Sequence, residues 1–171
     1  SFSVSEFLNA ARSVLFAVSR SDIRPEIASV SVRGAADGGV KIAATDSFRL
    51  AERSFKISTA KSFSFLFPWK RLAEFVRIAE NFTGTVECFF DNQQFFASHS
   101  GFSYCTRLTE GKFPDYESVI PRSFTTEVSV DRAEFAENLK LAGIFGGQLK
   151  EVRFNVYPTD HLLEIATRDC E

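Results

Sequence analysis

Methionine is absent from all 171 residues, and histidine, cysteine and tryptophan are scarce at two, three and one. Each shortage excludes something. His99 and His161 lie far apart, and neither has a second ligand type at metal spacing, so both read as solvent-facing or internally satisfied. Cys88, Cys105 and Cys170 are odd in number and show no C-x-x-C spacing. That leaves neither a disulfide framework nor a zinc site and suits reduced thiols in a cytosolic protein. No apolar run approaches the roughly 20 residues that cross a bilayer, and no charged-apolar-small leader opens the chain, so a soluble, intracellular protein is expected. G-x-S-x-G, the P-loop and G-x-G-x-x-G are all missing, which removes the usual frames for nucleophilic, nucleotide-phosphate and dinucleotide chemistry. Asp46 and Asp115 have no partner carboxylate nearby, and a lone aspartate after threonine in a turn is more often a partner for backbone amides than a catalyst. No catalytic residue, metal or cofactor is expected. The missing methionine, with a first residue that falls in mid-pattern at Ser1-Phe2-Ser3, suits a processed product or an excised piece.

What is present in quantity is phenylalanine, at twenty residues. The apolar residues fall in short alternating runs, which predicts an aromatic, largely sheet-built core. A hydrophobic fraction of 44% with 25% charged residues is ordinary for a globular chain of one domain, or one and a part. The net charge of -2 predicts no overall attraction to nucleic acid or anionic lipid, while leaving room for a local basic face.

In chain order, Ser3-Val4-Ser5-Glu6 has the spacing of a capping box, in which Ser3 accepts from the third helical amide. Phe7, Leu8, Ala11, Val14, Leu15 and Val18 mark the stripe of the helix that follows. Arg12 and Arg20 lie off the stripe, eight apart and so on one helical face. Ala28, Val30 and Val32 alternate as a strand that turns Ile27 to the opposite face, Gly34 to Gly39 makes a turn, and Val40 to Ala44 returns. Ser62 to Phe67 is a further strand, stopped by Pro68. Leu72, Phe75, Val76 and Ala79 form the packed face of a second helix that points Lys70, Arg71 and Arg77 elsewhere, either to solvent or to a partner. Thr85 to Phe90, Phe95 to Ser98 and Phe102 to Leu108 are three more strands. Two helices over about seven strands make an α+β layer arrangement.

One stretch stands apart. In Lys41 to Arg53, Thr45-Asp46-Ser47 breaks the strand alternation, and Phe48 and Leu50 restart it. Phe48 beside Arg49 is either an ordinary strand connection, with the ring in the core and the cation in solvent, or a display of the residue types enriched where proteins grip one another.

After Glu110 to Pro121, which reads as an ordered connector, the chain begins again. Ala133-Glu134-Phe135 echoes Ser5-Glu6-Phe7, Glu151 to Val156 answers Glu26 to Val32, and Glu164 to Thr167 answers Lys41 to Ala44. An internal domain repeat is expected, complete over residues 1–121 and partial over 122–171.

Two separated motifs, Ala44-Thr45-Asp46-Ser47-Phe48-Arg49-Leu50-Ala51 and Glu110-Gly111-Lys112-Phe113-Pro114-Asp115-Tyr116 with Val119-Ile120-Pro121 behind it, resemble the bacterial DNA polymerase III β sliding clamp family. The resemblance implies the DNA-clamp fold, with the first part similar to the family's middle domain and the second to the start of its third. It also implies a non-catalytic processivity factor: a homodimeric ring around duplex DNA that tethers polymerase and clamp-loader subunits by short linear motifs in the bacterial cytoplasm, with no membrane partner. Partner peptides would dock in an apolar pocket between middle and third domains. Thr45, Ser47, Phe48, Arg49 and Leu50 would form one wall, Ile27 the floor, and Pro114 and Val119 the side nearest the connector, with Arg24 close by. Arg12, Arg20, Lys70, Arg71 and Arg77 would face DNA phosphates. Two departures stand out: Ser47-Phe48 where the family often has Gly-His, and Ser118 where arginine is frequent. The runner-up is a stand-alone α+β interaction module or a clamp-like paralogue that forms no ring. An enzyme is the poorest fit.

Overall fold

A computed structural model describes residues 2–57, 61–146 and 151–167, in two compact units, Ser1–Ile120 and Pro121–Glu171. Cys170 lies outside the described residues.

The first unit runs β1 (Phe2–Ser3), α1 (Val4–Leu15), β2 (Ser29–Gly34), β3 (Gly39–Thr45), β4 (Leu50–Lys56), β5 (Phe63–Pro68), α2 (Trp69–Ala79), β6 (Thr85–Phe90), β7 (Gln94–His99) and β8 (Phe102–Arg107). Its strands form two antiparallel sheets, ordered β4-β3-β2-β5 and β1-β6-β7-β8. The short β1, which the alternation did not announce, pairs with β6 through Phe2 opposite Val86.

Both helices bury the faces their spacing dictates. Phe7, Leu8, Ala11 and Val14 of α1 and Leu72, Phe75, Val76 and Ala79 of α2 are buried. The Phe7 and Phe75 rings meet at 5.9 Å, Phe75 meets Phe95 at 5.6 Å and Phe95 meets Phe67 at 4.9 Å, so one line of phenylalanines joins both helices to both sheets. Rings of this size supply large apolar area and edge-to-face contacts, which is how a methionine-free core is filled. The backbone amide of Val4 donates to Gly84 O at 3.1 Å at one end of the helix pair, and Arg20 lies over Trp69 at the other, so α1 and α2 run antiparallel.

The structure revises three local expectations. Ser3 is the N-cap of α1, but its hydroxyl meets Ser5 Oγ at 3.0 Å and makes no capping bond. Helix α1 stops at Leu15, because Ala17 N closes an i→i+3 turn onto Val14 O at 2.9 Å; Arg20 is therefore beyond the helix and shares no helical face with Arg12. Ile27 precedes β2, in the turn where its amide donates to Arg24 O at 3.2 Å, and it is buried.

The connector is folded onto the first unit. Thr109 N donates to Leu66 O at 2.9 Å, and Thr109 Oγ1 meets the buried Ser29 Oγ at 2.7 Å. The Tyr116 hydroxyl sits between Arg33 Nη2 at 2.6 Å and Glu52 Oε2 at 2.5 Å. A 3₁₀ turn follows at Glu117–Val119.

The second unit holds α3 (Arg132–Phe145) and a hairpin of β9 (Val152–Tyr157) and β10 (Leu162–Thr167), the same helix-then-hairpin order that opens the first. Here the helix start is capped: Asp131 Oδ1 accepts from Ala133 N and Glu134 N, both at 2.9 Å.

Candidate functional site

The break between β3 and β4 is a built turn. Thr45 and Leu50 are paired across the two strands, and Thr45 Oγ1 donates to Arg49 O at 2.8 Å while accepting from Ser47 N at 3.1 Å. Asp46 Oδ1 accepts from Phe48 N and Arg49 N, both at 3.0 Å, and its Oδ2 accepts from Arg49 Nε at 2.9 Å. Asp46 is thus the backbone partner its position predicts. The two amides, Phe48 foremost, with Arg49's side chain hold its carboxyl below the ordinary aspartate range. Ser47 has φ of 77°, the left-handed region that favours glycine, which explains why glycine suits this position.

The turn leaves Phe48 97% exposed. The reading that buries this ring in the core fails: Asp46 and Ser47 carry the chain out of the sheet, and β4 resumes only at Leu50. Arg49 reaches over the Phe16 ring, 5.7 Å from its centroid. Phe16 is itself 56% exposed, and its signal in the sequence is a large apolar residue off the stripe of α1. Arg49 and the exposed Phe16 ring thus form one surface beside the turn, and short polar side chains hold the turn itself.

Of the other pocket residues, Ile27 precedes the first residue of β2, and Ser29 pairs with Pro68 at the sheet end to which Thr45 and Leu50 belong. Arg24 is one turn away and pairs with Glu26 at 3.2 Å. Pro114 lines a different feature, a groove of about 610 Å³ between the connector and the outer sheet face, with Ser31, Arg33 and Leu66. Val119 is 73% exposed in the 3₁₀ turn, and Ser118 Oγ donates to Asp115 O at 2.8 Å. Arg24 and Ile27 thus lie at the sheet end where Thr45 and Leu50 are paired, while Pro114 and Val119 belong to the connector. Sequence reasoning also missed the anchor of that connector. Tyr116 is buried and its phenol is pushed up to about 12, by burial first and then by Glu52.

The candidate DNA-facing cations are mostly compensated. Arg12 Nη2 donates to Glu80, Lys70 Nζ to Asp22 at 2.8 Å, and Arg71 Nη1 to Glu74 at 3.1 Å. Arg20 stacks 3.9 Å from the Trp69 centroid. Arg77 is exposed and makes no ion pair among the described residues. These pairs are exposed, so each is weak and exchangeable. Among the described residues no group of acids, histidines and cysteines is arranged to hold a metal, and no helix is long and apolar enough to cross a membrane.

Residues 2–115 match the family model described as DNA polymerase III beta subunit, central domain. The beta sliding clamp of Bacillus subtilis (strain 168) is 28% identical over 167 residues, 95% of this chain and 44% of that protein. That of Streptococcus pneumoniae serotype 4 is 30% identical over 128 residues, 74% of this chain and 34% of that protein. Among solved structures, the DNA polymerase sliding clamp from Bacillus subtilis superposes with a TM-score of 0.90 at 27% identity, covering 99% of this chain and 45% of that one. The beta chain from Streptococcus pneumoniae TIGR4 gives 0.87 at 25% identity, covering 98% and 45%. The chain thus spans between a third and under half of the relatives it matches.

Proposed function

Because the chain belongs to the DNA polymerase III beta subunit family, the beta sliding clamps, we propose that it serves as part of a replication processivity factor. In this reading residues 1–121 act as the middle domain and 122–171 as the start of the third. A completed homodimer encircles duplex DNA nonspecifically, performs no bond chemistry, and holds polymerase and clamp-loader subunits through their short linear motifs.

The observation that carries the reading is the rigid presentation of Phe48. A fully exposed aromatic ring on a turn fixed by Asp46 and Thr45 has no role in the core of its own unit. Burying such a ring against a partner's leucine or phenylalanine contributes roughly 1.5–3 kcal/mol. Thr45, Ser47, Arg49 and Leu50 flank it, with Arg24 and Ile27 at the same sheet end and Pro114 and Val119 from the connector completing the recognition set.

The test is an amide NMR titration of the 171-residue chain with a short peptide carrying leucine and phenylalanine. The expected result is weak binding that shifts the amides of Thr45–Leu50 and Arg24–Ile27, and that Phe48→Asp abolishes. Absence of shifts at millimolar peptide, or affinity equal to that of a full-length clamp, would reject the reading of this chain as one partial face of the socket.

A further inference from the structure

The connector is tied to the first unit at two places, and the second bears on the Phe48 turn. Thr109 makes the first tie, through Leu66 O and Ser29 Oγ. Tyr116 makes the second: its hydroxyl donates to Glu52 Oε2 at 2.5 Å and accepts from Arg33 Nη2 at 2.6 Å, which bridges β4 and β2 across β3. Between the two ties, residues 110–115 line the groove of about 610 Å³, so the stretch is a strap held at its ends. Ser31, Ala43 and Glu52 stand opposite one another across β2, β3 and β4 and share one face, where Ser31 and Ala43 are buried because the connector crosses them. Leu50 is two residues before Glu52 and so on that face too. The strand that leaves the Phe48 turn therefore carries the acceptor that holds the connector.

Tyr116 is also the hub of its own segment. Its amide donates to Pro114 O at 2.9 Å, and its carbonyl accepts from Val119 N at 3.2 Å. The two connector residues of the recognition set are thus each one backbone hydrogen bond from the residue whose side chain grips β4. The ring is buried, with the Arg33 guanidinium 5.0 Å from its centroid. Burial first and then Glu52 push the phenol up to about 12, so at neutral pH it keeps the proton it donates. A hydrogen bond to a charged acceptor is stronger than one between neutral groups. The ion pairs of Glu117 with Arg33 at 3.1 Å and with Lys41 at 3.8 Å are exposed and weak by comparison, so the phenol is the principal tie.

We propose, resting on the peptide-socket reading above, that Tyr116 is a positioning residue of the peptide site: through Glu52 it couples the connector to β4. Pro114 and Val119 are then in place before a partner peptide arrives, which spares the peptide the cost of ordering them. Linkage makes the coupling reciprocal, so a peptide that touches Val119 tightens the tie in turn.

The test compares, in the 171-residue chain, Tyr116→Phe, which deletes only the hydroxyl, with Glu52→Gln, which still accepts from it. Hydrogen exchange at the Val119 amide should be about tenfold faster in Tyr116→Phe and about threefold faster in Glu52→Gln. The Thr109 and Phe48 amides are held by Leu66 O and Asp46, so they should exchange as before and verify the fold of each variant. In an NMR titration with the peptide carrying leucine and phenylalanine, Tyr116→Phe should bind about fivefold more weakly than the parent. The Val119 shift should be lost while Thr45–Leu50 still respond. Added peptide should slow Val119 exchange in the parent but not in Tyr116→Phe. No response at Thr45–Leu50 in the parent would remove the socket reading and Tyr116's role with it. A response there with affinity and Val119 shift unchanged by Tyr116→Phe, or Val119 exchange unaltered by that substitution, would overturn the role of Tyr116 alone.

Discussion

Asp46 decides what Phe48 does. Four short polar contacts from Thr45 and Asp46 hold the turn from inside, so the ring projects without any packing of its own. The sequence showed the break and the identity of its residues, including Asp46 as a backbone partner. It did not show exposure: Phe48 and Leu50 keep strand alternation, and only the turn's dihedral angles reveal that Phe48 has left the sheet. The same carboxylate makes the display acid-sensitive. Its pKa lies below the ordinary 3.8 in the folded chain, so the stabilising contribution is present above that value and is lost as pH falls through the depressed folded one. A carboxyl ¹³C titration should place Asp46 below 3.8. Asp46→Ala should speed hydrogen exchange at the Phe48 and Arg49 amides with little change in global stability; an ordinary pKa and unaltered exchange would show that the turn is held otherwise.

At the level of elements, spacing was the reliable signal and capping was not. The buried faces of α1 and α2 are those the apolar periodicity marks, and β5 to β8 begin and end near their turn residues. Ser3 and Asp131 stand at equivalent helix starts, yet Ser3 spends its hydroxyl on Ser5 Oγ while Asp131 accepts two helical amides. Which hydroxyl or carboxylate finds the amides depends on χ1, which a four-residue pattern does not fix. The consequence is an asymmetry between like elements. Asp131→Ala should destabilise α3 by about 1 kcal/mol, whereas Ser3→Ala should cost α1 less than about 0.5 kcal/mol. Hydrogen exchange of the first-turn amides in each helix measures both, and equal losses would show that Ser3 caps in solution.

Across the whole molecule, the helix-then-hairpin repeat was legible because it is local, whereas the connector's anchorage was not. Tyr116 reaches residues more than sixty positions away, Glu52 and Arg33, and no periodicity encodes such a contact. Charge is the other property set at this scale. The chain carries a net -2, and three of the five candidate DNA-facing cations are already held by Glu80, Asp22 and Glu74. To meet a phosphate, each must exchange one carboxylate for another anion, which leaves little net gain. Arg77 has no such competitor among the described residues, and Arg20 has an aromatic face in place of an acid. Free duplex DNA should therefore be bound weakly through few phosphates, and raising salt from about 50 to 200 mM should abolish the shift in a mobility assay. Arg77→Ala should flatten the salt dependence by close to one phosphate contact, and Arg12→Ala by less, because Glu80 already engages that side chain. Tight binding that persists at high salt, or an Arg12 effect exceeding that of Arg77, would place the DNA-facing surface elsewhere on the molecule.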